Sequence, residues 1–177
     1  MNTVTRKSLL LITACSSLLS ASAFAATSNS VNIDITGTVI ASPCVVNGDQ
    51  PSLEVNIGDT IQADSLSAAG SASDWKDFTL ALTSCPASTS SFSVTFSGSQ
   101  DASDDTMYMN TGTATNLKLE LTTQDGATTL GNNTSIDNVV IPAGHSYDLD
   151  LRTRAVSKGN VMPGTIVGQV QATFTYQ

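Results

Sequence analysis

The stretch TIVGQVQATFTYQ, residues 165–177, alternates between two kinds of side chain. One alternate set is almost wholly polar. The other set is small or apolar and consists of Ile166, Gly168, Val170, Ala172, Phe174 and Tyr176. A period of two residues is typical of a β-strand with one buried face. We therefore predict that these residues form a strand that packs on a core through its even-numbered positions.

Short alternating runs of the same type recur earlier in the chain, separated by turn-forming residues. They lie at residues 53–57, 78–82, 92–96, 117–121 and 147–151. We expect loops at residues 66–73 (with one helical turn), 100–105 and 131–135. Several short strands at this spacing indicate an all-β, Ig-like sandwich. No linker or internal repeat interrupts the pattern, so we expect one domain.

The predicted sandwich is expected to be one strand short. An Ig-like sandwich normally continues with one more strand, whereas this sequence ends at Gln177. A missing strand leaves an open hydrophobic groove and an unpaired edge, which is an aggregation hazard. A strand supplied by another chain removes both problems and is a known mode of β-augmentation.

A second apolar stripe lies near the N-terminus, in SVNIDITGTVIASPC, residues 30–44. Its alternate positions are Val31, Ile33, Ile35, Gly37 and Val39. The first residues of a domain usually fray and have little to pack against. We therefore interpret residues 26–40 as an extension that donates a strand to the groove of a neighbour. Gly37 is expected to fit where that groove is shallow, with a β-bulge as the alternative.

Residues 1–25 have the features of a secretory signal peptide. Arg6 and Lys7 precede an apolar run, and Ala-Phe-Ala at residues 23–25 is a typical cleavage site. A membrane anchor is one alternative, although the run is shorter than the roughly 20 residues that a membrane span needs. Lipidation of Cys15 is another, because residues 12–15 resemble a lipoprotein processing box.

Charge and cysteine content fit an exported protein. Removal of residues 1–25 leaves five basic residues against fifteen acidic ones, a net charge of −10. This balance opposes binding to nucleic acid or to anionic membranes. Cys44 and Cys85 then remain, and two cysteines in an exported domain are expected to form one disulfide. Two free buried thiols are the alternative.

Few residues suggest a chemical site. His145 is the sole histidine and is expected on the surface, in a turn after residues 142–144. Asp101, Asp104 and Asp105 lack the spacing of a calcium loop, which favours a solvated acidic loop.

Trp75 is expected in the core or at a sheet edge, with a sugar-binding platform as the alternative. We see no phosphate-binding loop, catalytic carboxylate pair or Ser-His-Asp set, and we predict no enzyme, cofactor, metal or small-molecule substrate. The Asn-x-Ser/Thr triplets at residues 132 and 133 are given no weight.

The chain resembles the pilin subunits of chaperone–usher fimbriae, and among them the minor subunits of type 1 fimbriae. Four features carry the resemblance: the N-terminal stripe leading into residues 42–44, the segment VNIGD at 55–59, the segment WKDFTLALTSCP at 75–86, and the C-terminal tail. In that tail a glycine, Gly164, stands fourteenth from the end, and a tyrosine, Tyr176, is penultimate. The resemblance covers residues 26–177.

The resemblance implies a fold and an assembly cycle. The pilin domain would span residues 41–177 after the extension at 26–40. A periplasmic chaperone would lend a strand to the groove, and at the outer-membrane usher the extension of a neighbouring subunit would replace it. The chaperone would contact the C-terminal strand at Gly164, Ile166, Gly168, Val170, Ala172, Phe174, Tyr176 and the Gln177 carboxylate.

Function is therefore expected to be structural, in an adhesive fimbria at the cell surface. We expect a minor subunit, a tip-fibrillum adaptor that supports cell adhesion, with a weak indication from Trp75 and its neighbours. A major rod pilin, a terminator, and a monomeric receptor-binding Ig-like adhesin module are the alternatives.

Overall fold

The alternating runs form β-strands in the computed structural model, which describes residues 28–177. The strands are β1 (Val45–Val46), β2 (Lys76–Thr83), β3 (Ser91–Gly98), β4 (Gln100–Asp101), β5 (Asp104–Met109), β6 (Thr115–Thr123), β7 (Thr134–Val140), β8 (Tyr147–Met162) and β9 (Val170–Tyr176). Two short 3₁₀ helices cover Asn47–Asp49 and Ala63–Leu66. The predicted signal peptide, Cys15 included, lies outside the described residues.

The strands form two antiparallel sheets. One has the order β1-β2-β8-β6-β5-β4, and the other has the order β7-β3-β9. In the first sheet Leu80 of β2 lies opposite Leu149 of β8. In the second, Phe96 of β3 lies opposite Ala172 of β9. This arrangement confirms the all-β, Ig-like sandwich.

The core lies between the sheets, because alternate residues of each strand point to the same face. Its buried members include Leu82, Phe92, Val94, Phe96, Tyr108, Leu121, Leu130, Leu149 and Leu151. A smaller buried cluster consists of Leu66, Ala114, Leu117 and Val161, with Ile166 packed against it. The larger cluster packs against Ala172, Phe174 and Tyr176 of β9. The smaller cluster packs against Ile166, which lies before β9.

A disulfide joins Cys44, just before β1, to Cys85, just after β2. This pairing confirms the prediction from the cysteine count. In the chain-entropy model, closing a loop of this length stabilises the fold by roughly 4 kcal/mol.

The chain divides into two units, residues 1–37 and residues 38–177. Within the first, residues 28–37 form no helix or strand. The side chains of Val31, Ile33 and Ile35 are 81–91% exposed. In residues 28–177, no helix is both long and apolar enough to cross a membrane.

Several predicted boundaries are wrong. Residues 100–105 form a tight hairpin and not a loop, because they include β4 and the start of β5. In the turn between these strands, the Ser103 N–H donates to the Asp101 carboxylate (2.9 Å). Strand β7 already begins at Thr134, and β8 continues well beyond residue 151. The helical turn expected within residues 66–73 lies at Ala63–Leu66.

Two predicted strands differ because a strand needs a partner backbone as well as an alternating pattern. Residues 53–57 form no strand, and no backbone–backbone hydrogen bond in the described chain involves them. The last strand starts at Val170 instead of Ile166, since its ladder with β3 ends at the pair Gly98 and Val170.

Gly164 is required by a close approach of two backbone segments. A Cβ at this position would lie 2.5 Å from the carbonyl carbon of Thr113 and 2.7 Å from the Cα of Ala114. Backbone atoms at this distance have to shift to make room for a methyl group.

We expect Gly164→Ala to lower the free energy of unfolding by about 1–3 kcal/mol, the usual cost of overpacking. The matched control is Gly144→Ala, where the new methyl group would meet only the Ser146 Oγ, at 3.9 Å. Urea denaturation of both variants measures the difference, and an equal loss in the two would contradict this account of Gly164.

Candidate functional site

Strand β9 is paired on one side only. It forms an antiparallel ladder with β3, and its other edge has no strand partner among residues 28–177. Phe174 contacts Phe92 and Tyr176, with ring centroids 5.7 Å and 6.3 Å apart. These contacts direct the even-numbered side chains of β9 toward the core, as the alternation predicts.

A second unpaired segment lies opposite this edge. Residues 53–57 carry the apolar alternation of a strand, yet their backbone donors and acceptors have no backbone partner in the described chain. Leu53 is 42% exposed. Two edges that each lack a neighbour, placed on opposite sides of the same opening, are what the loss of one strand from a sandwich leaves behind.

A groove of about 1420 Å³ with an apolar floor runs between these two edges. Its floor comes from both sheets and consists of Phe78, Leu80, Phe96, Tyr108, Leu119, Leu121 and Leu151. A further section of about 800 Å³ shares Val55, Ile57 and Ile166 with the first. That section ends over the small cluster around Leu66 and Leu117.

Tyr108 lies under the groove and is buried to 2% exposure. Burial raises the pKa of its hydroxyl to about 12. The hydroxyl has no hydrogen-bond partner in the described chain. Its ring contacts Gly98, where a Cβ would lie 2.9 Å from the tyrosine Cε1.

The predicted C-terminal site residues take different positions along the groove. Ile166, Gly168, Val170, Ala172 and Phe174 line it. Gly164 lies at the end of the 800 Å³ section. A Cβ on Gly168 would clash with the Leu119 Cδ1, so the Leu119 side chain reaches the groove wall at that point.

The last two residues lie near the disulfide. A backbone carboxylate oxygen of Gln177 accepts hydrogen bonds from the backbone N–H groups of Ser90 (2.8 Å) and Ser91 (3.2 Å). Burial raises the pKa of Tyr176, and a hydrogen bond with the Cys44 backbone acts in the opposite direction. The end of the chain is therefore fixed close to the root of the N-terminal extension.

The predicted donor residues form an exposed stripe. Val39 is 99% exposed, and the side chains of Val31, Ile33 and Ile35 are exposed to a similar extent. A Cβ on Gly37 would meet no atom within 4 Å among the described residues, and the φ angle of Gly37 is not positive. Nothing in the described chain requires a glycine there.

Trp75 is half-buried and contacts two arginines. The guanidinium carbons of Arg152 and Arg154 lie 4.3 Å and 4.1 Å from its ring centroid. Arg154 also forms an ion pair with Glu120 at 2.7 Å. These arginines alternate with the buried Leu151 and Ala155, so Trp75 packs on the outer face of the sheet and not in the core.

Two of the three acidic residues at 101–105 are held in ion pairs. Asp101 is bound by Lys158 at 2.8 Å, and Asp104 by Lys118 at 2.7 Å. Burial opposes ionisation of Asp101, but hydrogen bonds from Lys158 and Ser103 outweigh it and lower its pKa. Hydrogen bonds from Lys118 and Thr106 lower the pKa of Asp104 to about 2.

His145 is exposed in the turn that follows Pro142, as predicted. Across residues 28–177, no group of three or more His, Cys, Asp or Glu side chains is placed to hold a metal ion.

Comparison with known proteins agrees with this geometry. Residues 33–177 match the family model described as "Fimbrial protein". The chain belongs to the fimbrial protein family.

Two curated relatives support the assignment. The chain is 37% identical to Protein FimG of Escherichia coli K12 over 147 residues, which is 82% of this chain and 84% of FimG. It is 34% identical to the S-fimbrial adhesin protein SfaS of Escherichia coli O6:K15:H31 over 159 residues, 90% of this chain and 93% of SfaS.

Solved structures share the fold. The P pilus rod subunit PapA superposes with a TM-score of 0.65 at 15% identity, over 77% of this chain and all of PapA. The P pilus adaptor subunit PapF superposes with a TM-score of 0.52 at 14% identity, over 79% of this chain and all of PapF. The protein is therefore a fimbrial subunit of the chaperone–usher type, exported to the cell surface as part of a fimbrium, where it assembles with neighbouring subunits.

The sequence patterns missed part of this site. The inward positions of the alternating runs could have identified floor residues such as Phe78, Leu119 and Leu121. Tyr108 lies in β5, which begins within the loop that the sequence predicts at residues 100–105. The polar residues that form hydrogen bonds to the groove wall show no periodic pattern in the sequence.

Proposed function

We propose that this fimbrial subunit assembles by donor-strand exchange. The observation that carries the proposal is the apolar groove bounded by two unpaired backbone edges, β9 and residues 53–57. A strand placed in the groove would form hydrogen bonds with both edges and cover the floor. Backbone bonds would then provide affinity, and the side-chain pockets specificity.

The donor is the extension of a neighbouring subunit, and this chain donates its own in the same way. A strand rises about 3.3 Å per residue, so Val31 to Val39 spans about 26 Å. The groove wall from Ile166 to Phe174 has the same number of residues. The aliphatic residues of the stripe are exposed in this structure. Full burial of each one in the groove would contribute roughly 1.5–3 kcal/mol to the binding free energy.

Before assembly, a periplasmic chaperone covers the groove. The unpaired edge of β9 beside an open groove would otherwise promote aggregation. The chaperone pairs with the free edge of β9 and contacts the residues between Gly164 and Tyr176 that face the groove. At the outer-membrane usher, the extension of a neighbouring subunit then replaces the chaperone. The role is structural, and the protein is not an enzyme.

We assign it the rank of a minor, tip-fibrillum adaptor subunit. Similarity to a protein named as an S-fimbrial adhesin supports a place near the adhesive end. Rod and adaptor subunits share this fold, so copy number is the property that decides rank. Quantitative mass spectrometry of purified fibres should find this chain in a few copies per fibre. A count matching the most abundant subunit would identify it as the rod pilin.

Ile35→Asp is expected to abolish donation to a neighbour, because it places a charge in an apolar groove, and to leave chaperone binding intact. Thr36→Asp is the matched control, since it adds the same charge to the opposite face of the stripe. Electron microscopy of fibres and co-purification with the chaperone measure the two properties. Normal incorporation of the Ile35 variant would refute the donor role.

Phe174→Asp is expected to weaken capture by the chaperone, because its ring lies on the groove side of β9 and packs on Phe92. The periplasmic level of the subunit should fall at least several-fold. Thr175→Asp, on the exposed face of the same strand, is the control. Quantitative immunoblots provide the measurement, and equal levels for the two variants would count against the chaperone-binding assignment.

A further inference from the structure

The wall of the groove is held in two different ways along its length. From Val170 onward, β9 is bonded to β3 by a regular ladder. Residues 165–169 lie beyond that ladder and form no strand. Their backbone bonds instead go to residues 110–114, which follow β5. The C-terminal segment thus changes its bonding partner, from the β5–β6 connection to β3, at about Gly168.

The bonds that fix this first part of the wall are concentrated in a few residues. The N–H of Thr111 donates to the carbonyl of Val167 at 2.8 Å, and that of Ala114 to the carbonyl of Thr165 at 3.0 Å. Thr113 and Thr165 each accept, on the hydroxyl, the backbone N–H of the other, at 2.8 Å and 3.0 Å.

Asn110 connects both sides of this arrangement through one half-buried side chain. Its Oδ1 accepts from the N–H of Val167 at 2.8 Å and from the N–H of Gly112 at 3.0 Å. Its Nδ2 donates to the carbonyl of Ala114 at 2.7 Å and approaches that of Thr165 at 3.5 Å. The amide therefore acts like a short piece of backbone, which shapes the turn and holds the wall at the same time.

These hydrogen bonds are important because of where residues 165–169 lie in the groove wall. Ile166 packs on the cluster around Leu66 and Leu117, and its side chain lines both sections of the groove. Residues 165–169 are thus the part of the wall where the two sections meet. No regular ladder supports them, so the wall there depends on Asn110 and its neighbours.

We propose that Asn110 is a positioning residue for strand capture: it holds residues 165–167 in the extended form against which an incoming strand pairs. The inference rests on the proposed donor-strand function and concerns the same groove. Without the amide, the Val167 N–H loses its partner and the wall opens locally. An incoming strand then has to order the wall as well as itself, which slows capture.

The test uses the exported chain and a labelled peptide with the sequence of residues 28–41. Hydrogen exchange of the chain alone should be about tenfold faster at the Val167 amide in Asn110→Ala, while the Phe174 amide in the β3–β9 ladder is unchanged. Capture of the peptide, followed by fluorescence anisotropy, should be several-fold slower. Thr79→Ala, which removes a side-chain hydrogen bond to Asp150 outside the groove, is the control and should change neither.

The outcomes separate the two ideas. Unchanged exchange at Val167, or an equal rise at Val167 and Phe174, would overturn the positioning role whatever the peptide does. Faster exchange at Val167 with unaltered capture would also overturn it. Failure of the unaltered chain to capture this peptide and the extension peptides of the other subunits of its fimbria would instead overturn the donor-strand proposal, and the exchange data would still decide whether Asn110 holds the wall.

Discussion

The free edge of β9, which has no neighbouring strand in residues 28–177, sets the form of the groove. Backbone N–H and C=O groups of a strand need partners, and an apolar core needs cover on every side. Between β9 and residues 53–57, this sandwich leaves the facing backbone groups without strand partners in the described chain. The groove over the apolar floor and the absence of a strand at residues 53–57 both follow from that gap.

The fold holds both ends of the groove in place while the groove stays open. The disulfide Cys44–Cys85 fixes the start of the domain next to the end of β9, where Gln177 bonds to Ser90 and Ser91. At the other end, Gly164 allows the wall to approach the backbone of Thr113 and Ala114. A groove that is held at both ends is preorganised, so less ordering would be required for any segment to bind in it.

The exposed stripe of the extension has the complementary property. Its apolar side chains have no cover, and its glycine meets no neighbour in the described chain. Both features are unfavourable in an isolated chain. The same chain thus carries an open groove and an exposed apolar segment that forms no strand of its own.

The sequence by itself determined the sandwich, the disulfide and the alternation that places Phe174 and Tyr176 toward the core, because period-two patterns and cysteine counts are local signals. It also indicated a missing strand. Only the tertiary structure decided that residues 53–57 stay unpaired, that β9 starts at Val170, and that Asn110 supports the wall before it. Those features depend on which backbone segments meet in space, and hydrogen bonds between residues more than fifty positions apart leave no periodic trace in the sequence.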